Sequence, residues 1–281
     1  MNQKITRIGF IGLGRMGKPM AINLLKSGYD VAAYDVRHEP VRELAKLGAR
    51  VAQSPKDLAR SSELIALAVV DDAQVIEVLL GADGVIEGVG PEAIIALHST
   101  VLPETVQMLA TKFAAKQAHV LDAPISGGEA GARARSLCCM VGGKVQLLER
   151  CRDVFAASAA EIFCMGELGS GAATKLIVQV VTCINMLAAH EAEILAEQCG
   201  LDFTAVQKVL QASSAKSFVA ENWLDRFKVA QDPIEVRRRR TEVFQKSLRP
   251  ALALAKDLGL SLPGARLTER LLPRIMGIEE N

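Results

Sequence analysis

Six residues, Gly12-Leu13-Gly14-Arg15-Met16-Gly17, follow the apolar run Ile8-Gly9-Phe10-Ile11 and open an amphipathic stretch. Gly12 permits a tight turn off a strand. Gly14 lets the backbone approach a pyrophosphate with no Cβ in the way, and Gly17 lets the new helix lie close to the sheet. The helix N-terminus then offers unpaired N–H groups and the positive end of its dipole to phosphates. An acid stands eighteen positions beyond Gly17: Asp35 ends the run Asp30-Val31-Ala32-Ala33-Tyr34, which reads as a second strand after a turn at Gly28. A carboxylate there can accept from both hydroxyls of an adenosine ribose. Dinucleotide binding is the expectation, with Leu13, Arg15, Met16, Val36, Arg37, Val69 and Val70 lining the cofactor. Asp35 would repel a 2′-phosphate, so NAD is favoured over NADP. Arg37, two residues on, softens that preference.

Two further segments could carry a substrate. Asp122-Ala123-Pro124-Ile125-Ser126-Gly127-Gly128 lies just past a strand end, the side on which parallel sheets bind ligands. Its Ser-Gly-Gly loop offers one hydroxyl and two accessible backbone N–H groups, a cradle for a small carboxylate. The bland alternative is an ordinary glycine turn. Gly169-Ser170-Gly171-Ala172-Ala173-Thr174-Lys175 puts a lysine in the first turns of a long apolar helix. Carbonyl reduction needs a proton donor beside the nascent alkoxide while hydride arrives from a nicotinamide. A lysine in a partly dry cleft can supply that proton, with Gln179 four residues on to orient an oxygen. The alternative is a lysine whose stem lies along apolar surface while its head reaches water.

These groups need a scaffold, and the 281-residue chain supplies one, being 50% apolar. A formal net charge of +1 argues against a global nucleic-acid or membrane-surface field. The six cysteines (138, 139, 151, 164, 183, 199) form no CxxC pair and are expected to be reduced and buried. The histidines (38, 98, 119, 190) have no ligand-like spacing, so no metal site is expected. The N-terminus leads straight into the first strand without a targeting pattern, and a cytoplasmic protein is expected. The first half alternates apolar runs (5–11, 30–35, 49–51, 64–69, 93–97, 119–122) with helical patterns (16–27, 39–47, 55–60, 72–80, 103–116), the signature of βαβ units. Runs at 137–141 and 161–164, flanking a helix around 144–157, would extend the sheet. From Gly171 to Gln198 there is no internal Gly or Pro, predicting one long helix buried nearly all round in its first half. Helices at 203–212, 216–229, 235–257 and 264–275 follow, with Pro250 expected to kink or split the third. The layout is α/β: a Rossmann-type doubly wound domain over 1–165, then an all-helical substrate and oligomerisation domain over 166–281, joined by the long helix.

GLGRMGKPMAINLLKSGYDV, Ser99-Thr100, DAPISGGEAGARARSLCCMVGG and GSGAATKL, in that order, resemble the four signature blocks of the β-hydroxyacid dehydrogenase family. The resemblance implies a Rossmann domain with an all-helical partner domain, a homodimer or homotetramer, and Lys175 as catalytic acid/base. It implies that Ser126, Gly127 and Gly128 bind the substrate carboxylate, that Thr100 touches the nicotinamide side of the cofactor, and that Lys246 reaches toward the cofactor. The substrate would be a small β-hydroxy carboxylate of the 3-hydroxyisobutyrate, glycerate or threonate class. Several positions depart from the pattern. Gln179 stands where asparagine is usual, Ser247 where aspartate follows the lysine, and Arg135-Ser136 where glycine and threonine precede a strand. Arg237–Arg240 form a basic run that either is a solvated helix face or binds an extra anionic group. Two rivals therefore stay open: a reductase of phosphorylated or sulfonated aldehydes, and a dinucleotide-binding module with weakened turnover. Imine reduction is disfavoured because Lys175 is retained.

Overall fold

The computed structural model describes residues 4–227, except the side chain at 226, and residues 232–278. The chain divides into two compact units, Met1–Lys175 and Leu176–Asn281.

In the first unit the βαβ alternation runs β1 (Arg7–Ile11), α1 (Gly17–Lys26), β2 (Asp30–Tyr34), α2 (His38–Ala45), β3 (Arg50–Val51), α3 (Pro55–Ala59), β4 (Leu64–Leu67), α4 (Asp72–Leu80), β5 (Ile94–Leu97), α5 (Pro103–Ala114) and β6 (His119–Asp122). These six strands are parallel in the order β3-β2-β1-β4-β5-β6. Chain direction across the sheet reverses between β1 and β4, which opens a crevice at their carboxyl ends. Strands β4 and β5 read LIAL and IIAL and are buried throughout, as strands covered by helices on both faces must be. Helix starts follow the capping signals: the Ser54 hydroxyl accepts from the Asp57 N–H at 3.1 Å, with Pro55 at the first helical position.

Beyond β6 the chain forms β7 (Ile125–Ser126), α6 (Gly128–Ala134), β8 (Leu137–Gly142), α7 (Val145–Ala156) and β9 (Ala159–Gly166). Strand β8 is antiparallel to β6 and β7 and parallel to β9, so the expected sheet extension is present but mixed in direction. The loop expected at Ser126 is instead the end of β7. A two-residue strand has no periodicity of its own, and only pairing with β8 reveals it.

The long helix α8 spans Ser170–Gln198 and crosses the unit boundary. It is long and apolar enough to cross a membrane on length and composition alone. Yet Met186, Leu187, Ala189 and Ala196 pack with Phe203, Trp223 and Leu272 into the second unit's core. The expectation that its first half is buried nearly all round does not hold: Ile177 is 63% and Val181 54% exposed. One stripe of the helix packs, and the opposite stripe keeps apolar residues uncovered. After it come α9 (Phe203–Ala212), α10 (Phe218–Glu221), a π-helical turn (Trp223–Phe227), α11 (Ile234–Asp257) and α12 (Pro263–Ile275). The helix expected over 216–229 is thus two short pieces, and its last two residues lie outside the described residues. Helix α11 continues through Pro250 without splitting. The proline removes one backbone donor, and the surrounding turns of a 24-residue helix hold the element together. The cysteine expectation holds in part. Cys139, Cys151 and Cys183 are buried, Cys138 is half-buried, and Cys164, on strand β9, and Cys199, just past α8, are exposed.

Candidate active site

At the β1–α1 turn two of the three glycines answer packing constraints. Gly12 has φ +89°, and a Cβ there would lie 2.5 Å from the Ala68 carbonyl oxygen. A Cβ on Gly17 would sit 1.9 Å from the Gly12 oxygen, so the helix could not close on the turn. At Gly14 a Cβ would meet nothing within 4 Å. Protein packing therefore does not require glycine there. The space a side chain would fill is left to a ligand at a helix N-terminus, which fits a dinucleotide pyrophosphate.

Asp35 follows β2 and is held from two sides. The Leu13 N–H donates to Oδ2 at 2.6 Å, and the Arg37 N–H and Nε donate to Oδ1 at 2.8 and 3.1 Å. A second Arg37 nitrogen reaches Oδ2 at 3.3 Å and the Leu13 carbonyl at 3.2 Å. Burial alone would raise this carboxyl, but the hydrogen bonds from Arg37 and Leu13 outweigh it and hold the group below the usual carboxylate range. The carboxylate is thus ionised and tied to the glycine turn, while the Arg37 side chain is 60% exposed. Val36 and Val70 are exposed, and Val69 is half-buried at the end of β4. There the Ser99 hydroxyl accepts from the Val69 N–H and donates to its carbonyl, both at 2.9 Å, joining the ends of β4 and β5 beside Thr100. Met16 directly precedes α1. Arg15 donates to Glu129 at 3.2 Å, so the glycine-rich turn is bridged to α6.

Sequence reasoning missed the residue that fixes the start of α8. Asp122, fully buried at the end of β6, accepts from the Gly169 N–H at 2.9 Å and the Ala172 N–H at 2.7 Å. It acts as an N-terminal cap supplied from a distant strand. Burial pushes its carboxyl above the ordinary range, against the pull of these donors. Gly142 and Gly171 leave room for it, since a Cβ at either would lie within 3 Å of its carboxylate. Lys175 follows one turn along the clamped helix and is 7% exposed.

Ser126 stands opposite Cys138 in the β7–β8 pair. Gly127 and Gly128 follow at φ +131° and +66°, a backbone region that glycine adopts readily, and lead into α6. These residues and Lys175 all belong to the first unit. Gln179 and Lys246 belong to the second, half-buried on α8 and exposed on α11 respectively. The arginine run divides its tasks. Arg237 donates to the Gly277 carbonyl beyond α12, and Arg240 pairs with Asp232 at 2.9 Å, while Arg238 and Arg239 are exposed. Half of the run is therefore structural, closing a helix C-terminus and an ion pair.

A family model described as the NAD binding domain of 6-phosphogluconate dehydrogenase matches residues 7–166, and one described as NAD-binding of NADP-dependent 3-hydroxyisobutyrate dehydrogenase matches residues 169–277. An uncharacterized oxidoreductase of Mycobacterium tuberculosis is 35% identical, covering 97% of this chain and 94% of its own. A 2-(hydroxymethyl)glutarate dehydrogenase of Eubacterium barkeri is 34% identical, covering 82% of this chain and 76% of its own. The fold is similar to that of a solved 3-hydroxyisobutyrate dehydrogenase of M. tuberculosis, with TM-score 0.83 and 24% identity over 97% of this chain and 94% of that one. These matches show that the chain belongs to the β-hydroxyacid dehydrogenase family and is an NAD(P)-dependent hydroxyacid dehydrogenase.

Proposed function

We propose that the enzyme oxidises a small β-hydroxy carboxylate, of the 3-hydroxyisobutyrate, glycerate or threonate class, to the corresponding semialdehyde or keto acid, with NAD as the preferred cofactor. The observation that carries this reading is Lys175: a buried lysine one turn into a helix whose first N–H groups are fixed by Asp122. A lysine so placed does not wander, and the cost of burying it is offset only where its charge or its proton has a use.

The nicotinamide, when bound, accepts hydride from the substrate carbon. As the neutral amine Lys175 takes the hydroxyl proton while that carbon becomes trigonal, and as the resulting ammonium it returns the proton in the reverse direction. The Ser126 hydroxyl and the Gly127 and Gly128 N–H groups hold the carboxylate, which fixes the reacting carbon relative to the lysine. Gln179, four residues further along α8, aligns the reacting oxygen. Its extra methylene relative to asparagine shifts the amide by about one carbon–carbon bond and favours a correspondingly smaller substituent. Gly12, Leu13, Gly14, Arg15, Met16, Gly17, Asp35, Val36, Arg37, Val69, Val70 and Thr100 line the cofactor, and Lys246, on α11 of the second unit, is assigned to it by the family resemblance alone. Asp35 supports the NAD preference, because a second negative group beside an ionised carboxylate is repelled. The uncovered apolar stripe of α8 supports a homo-oligomer. A reading in which Arg237–Arg240 bind an anionic substrate group is weakened by the commitments of Arg237 and Arg240.

The test is NAD reduction, followed by absorbance, over a panel of β-hydroxy acids. At least one should turn over, and Ser126→Ala should raise its KM by about tenfold or more with a smaller effect on kcat. Absence of turnover on every acid with either cofactor would overturn the reading.

A further inference from the structure

A thiol stands opposite one of the groups assigned to substrate. Cys138 on β8 is the register partner of Ser126 on β7. Directly opposed residues of an antiparallel pair project from the same face of the sheet, with Cβ atoms about 5 Å apart. Its neighbour Cys139 takes the other face, where its sulfur lies 3.6 Å from the Ala123 carbonyl oxygen in the core. Cys138 is half-buried, on the face of the carboxylate cradle. On its far side the register partner is Glu161 of β9, which is exposed. Burial is the largest influence on the thiol and raises it. The Lys175 ammonium is close enough to pull it down, and Glu161 adds a smaller upward push. The net direction is upward, so the group is a protonated thiol at neutral pH. Three chemically distinct side chains, a hydroxyl, a thiol and a buried lysine, thus share one corner of the first unit.

Resting on the reaction proposed above, we infer that Cys138 is a specificity-determining wall of the acid-binding site, set beside Ser126, where it favours an apolar substituent on the substrate over a second hydroxyl. A thiol is a weak donor and a weak acceptor, and otherwise behaves as a small hydrophobe. A substrate hydroxyl pressed against it would exchange water for a poor partner, whereas a methyl group would lose nothing. Discrimination of this kind in an apolar subsite amounts to about ten- to a hundredfold in kcat/KM. The site should therefore prefer 3-hydroxyisobutyrate to glycerate.

Two readouts test the placement and the preference separately. Methyl methanethiosulfonate labels cysteine: the thiolate attacks the sulfenyl sulfur, a new S–S bond forms, methanesulfinate leaves and the thiol proton goes to solvent. Peptide mass spectrometry follows Cys138, with the exposed Cys164 and Cys199 as internal references. Saturating NAD with 3-hydroxyisobutyrate should slow labelling at Cys138 by about tenfold or more and leave the references within about twofold. In Lys175→Met the pH midpoint for labelling Cys138 should rise, because the neighbouring positive charge is gone. Cys138→Ser should move the ratio of kcat/KM values for 3-hydroxyisobutyrate and glycerate by about tenfold toward glycerate. An unchanged labelling rate with an unmoved midpoint would overturn the inference, as would an unaltered substrate ratio in Cys138→Ser. Failure of the reaction itself reads differently, as absent NAD reduction in wild type, while protection and the labelling midpoint still report on Cys138.

Discussion

At the residue scale, the cofactor turn and the proton-transfer group differ in how they are specified. Gly12, Gly14, Gly17 and Asp35 lie within one βαβ unit, so their spacing alone points to a dinucleotide-binding turn, and close packing gives the reason for glycine at Gly12 and Gly17. Asp122 and Cys138 carried no such signal. The donors to Asp122 lie 47 and 50 residues further along the chain, and Cys138 matters only because strand pairing sets it opposite Ser126. Arg37 occupies both oxygens of Asp35, so ribose hydroxyls bound as proposed would displace part of this pairing. Asp35→Asn should weaken NAD binding by about tenfold or more and affect NADP less, narrowing the ratio of the two dissociation constants. Fluorescence titration with the reduced cofactors measures both; equal losses would show that the carboxylate does not discriminate.

At the element scale, long periodic segments were legible and short paired ones were not. The β1–β6 alternation and the single long α8 follow directly from apolar runs and from the absence of Gly and Pro. Strand β7 and helix α6 were missed because two and seven residues are too few to show a period. The end of α6 also carries strain readable from its residue type. Arg135 adopts φ +58°, ψ +31° at the helix C-terminus, a left-handed conformation in which a Cβ is disfavoured and glycine is at ease. The side chain is exposed, so little packing is lost on its removal. Arg135→Gly should stabilise the protein by about 0.5–1 kcal/mol, while Arg135→Ala should not. Urea unfolding midpoints compare the two; equal effects would place the gain in the lost charge rather than in the backbone.

At the scale of the whole molecule, a near-neutral net charge leaves acid stability to particular buried groups. His98 is one. Its ring lies edge-on to Phe155 with centroids 5.5 Å apart, and its Nδ1 is 2.8 Å from the Ala123 carbonyl. Burial pushes its pKa down from 6.5 to about 4, the carbonyl hydrogen bond only partly opposing this. Between those values the unfolded chain binds a proton that the folded chain refuses. Stability is therefore intact above about pH 6.5 and is lost as pH falls toward 4, by roughly 3 kcal/mol in total from this one group. His98→Asn should flatten that part of the difference in unfolding free energy between pH 7 and pH 4.5. An unchanged acid slope would show that His98 is protonated at little cost.

The buried side chain of Lys175 connects all three scales: a residue type rarely sequestered, on an element clamped by Asp122, in an enzyme of a hydroxyacid-oxidising family. Its most direct test is Lys175→Met, with steady-state NAD reduction and NAD titration measured on the same preparation. The account predicts that kcat falls by about a hundred- to ten-thousandfold while the NAD dissociation constant stays within about twofold. Retention of kcat within a few-fold of wild type would contradict it.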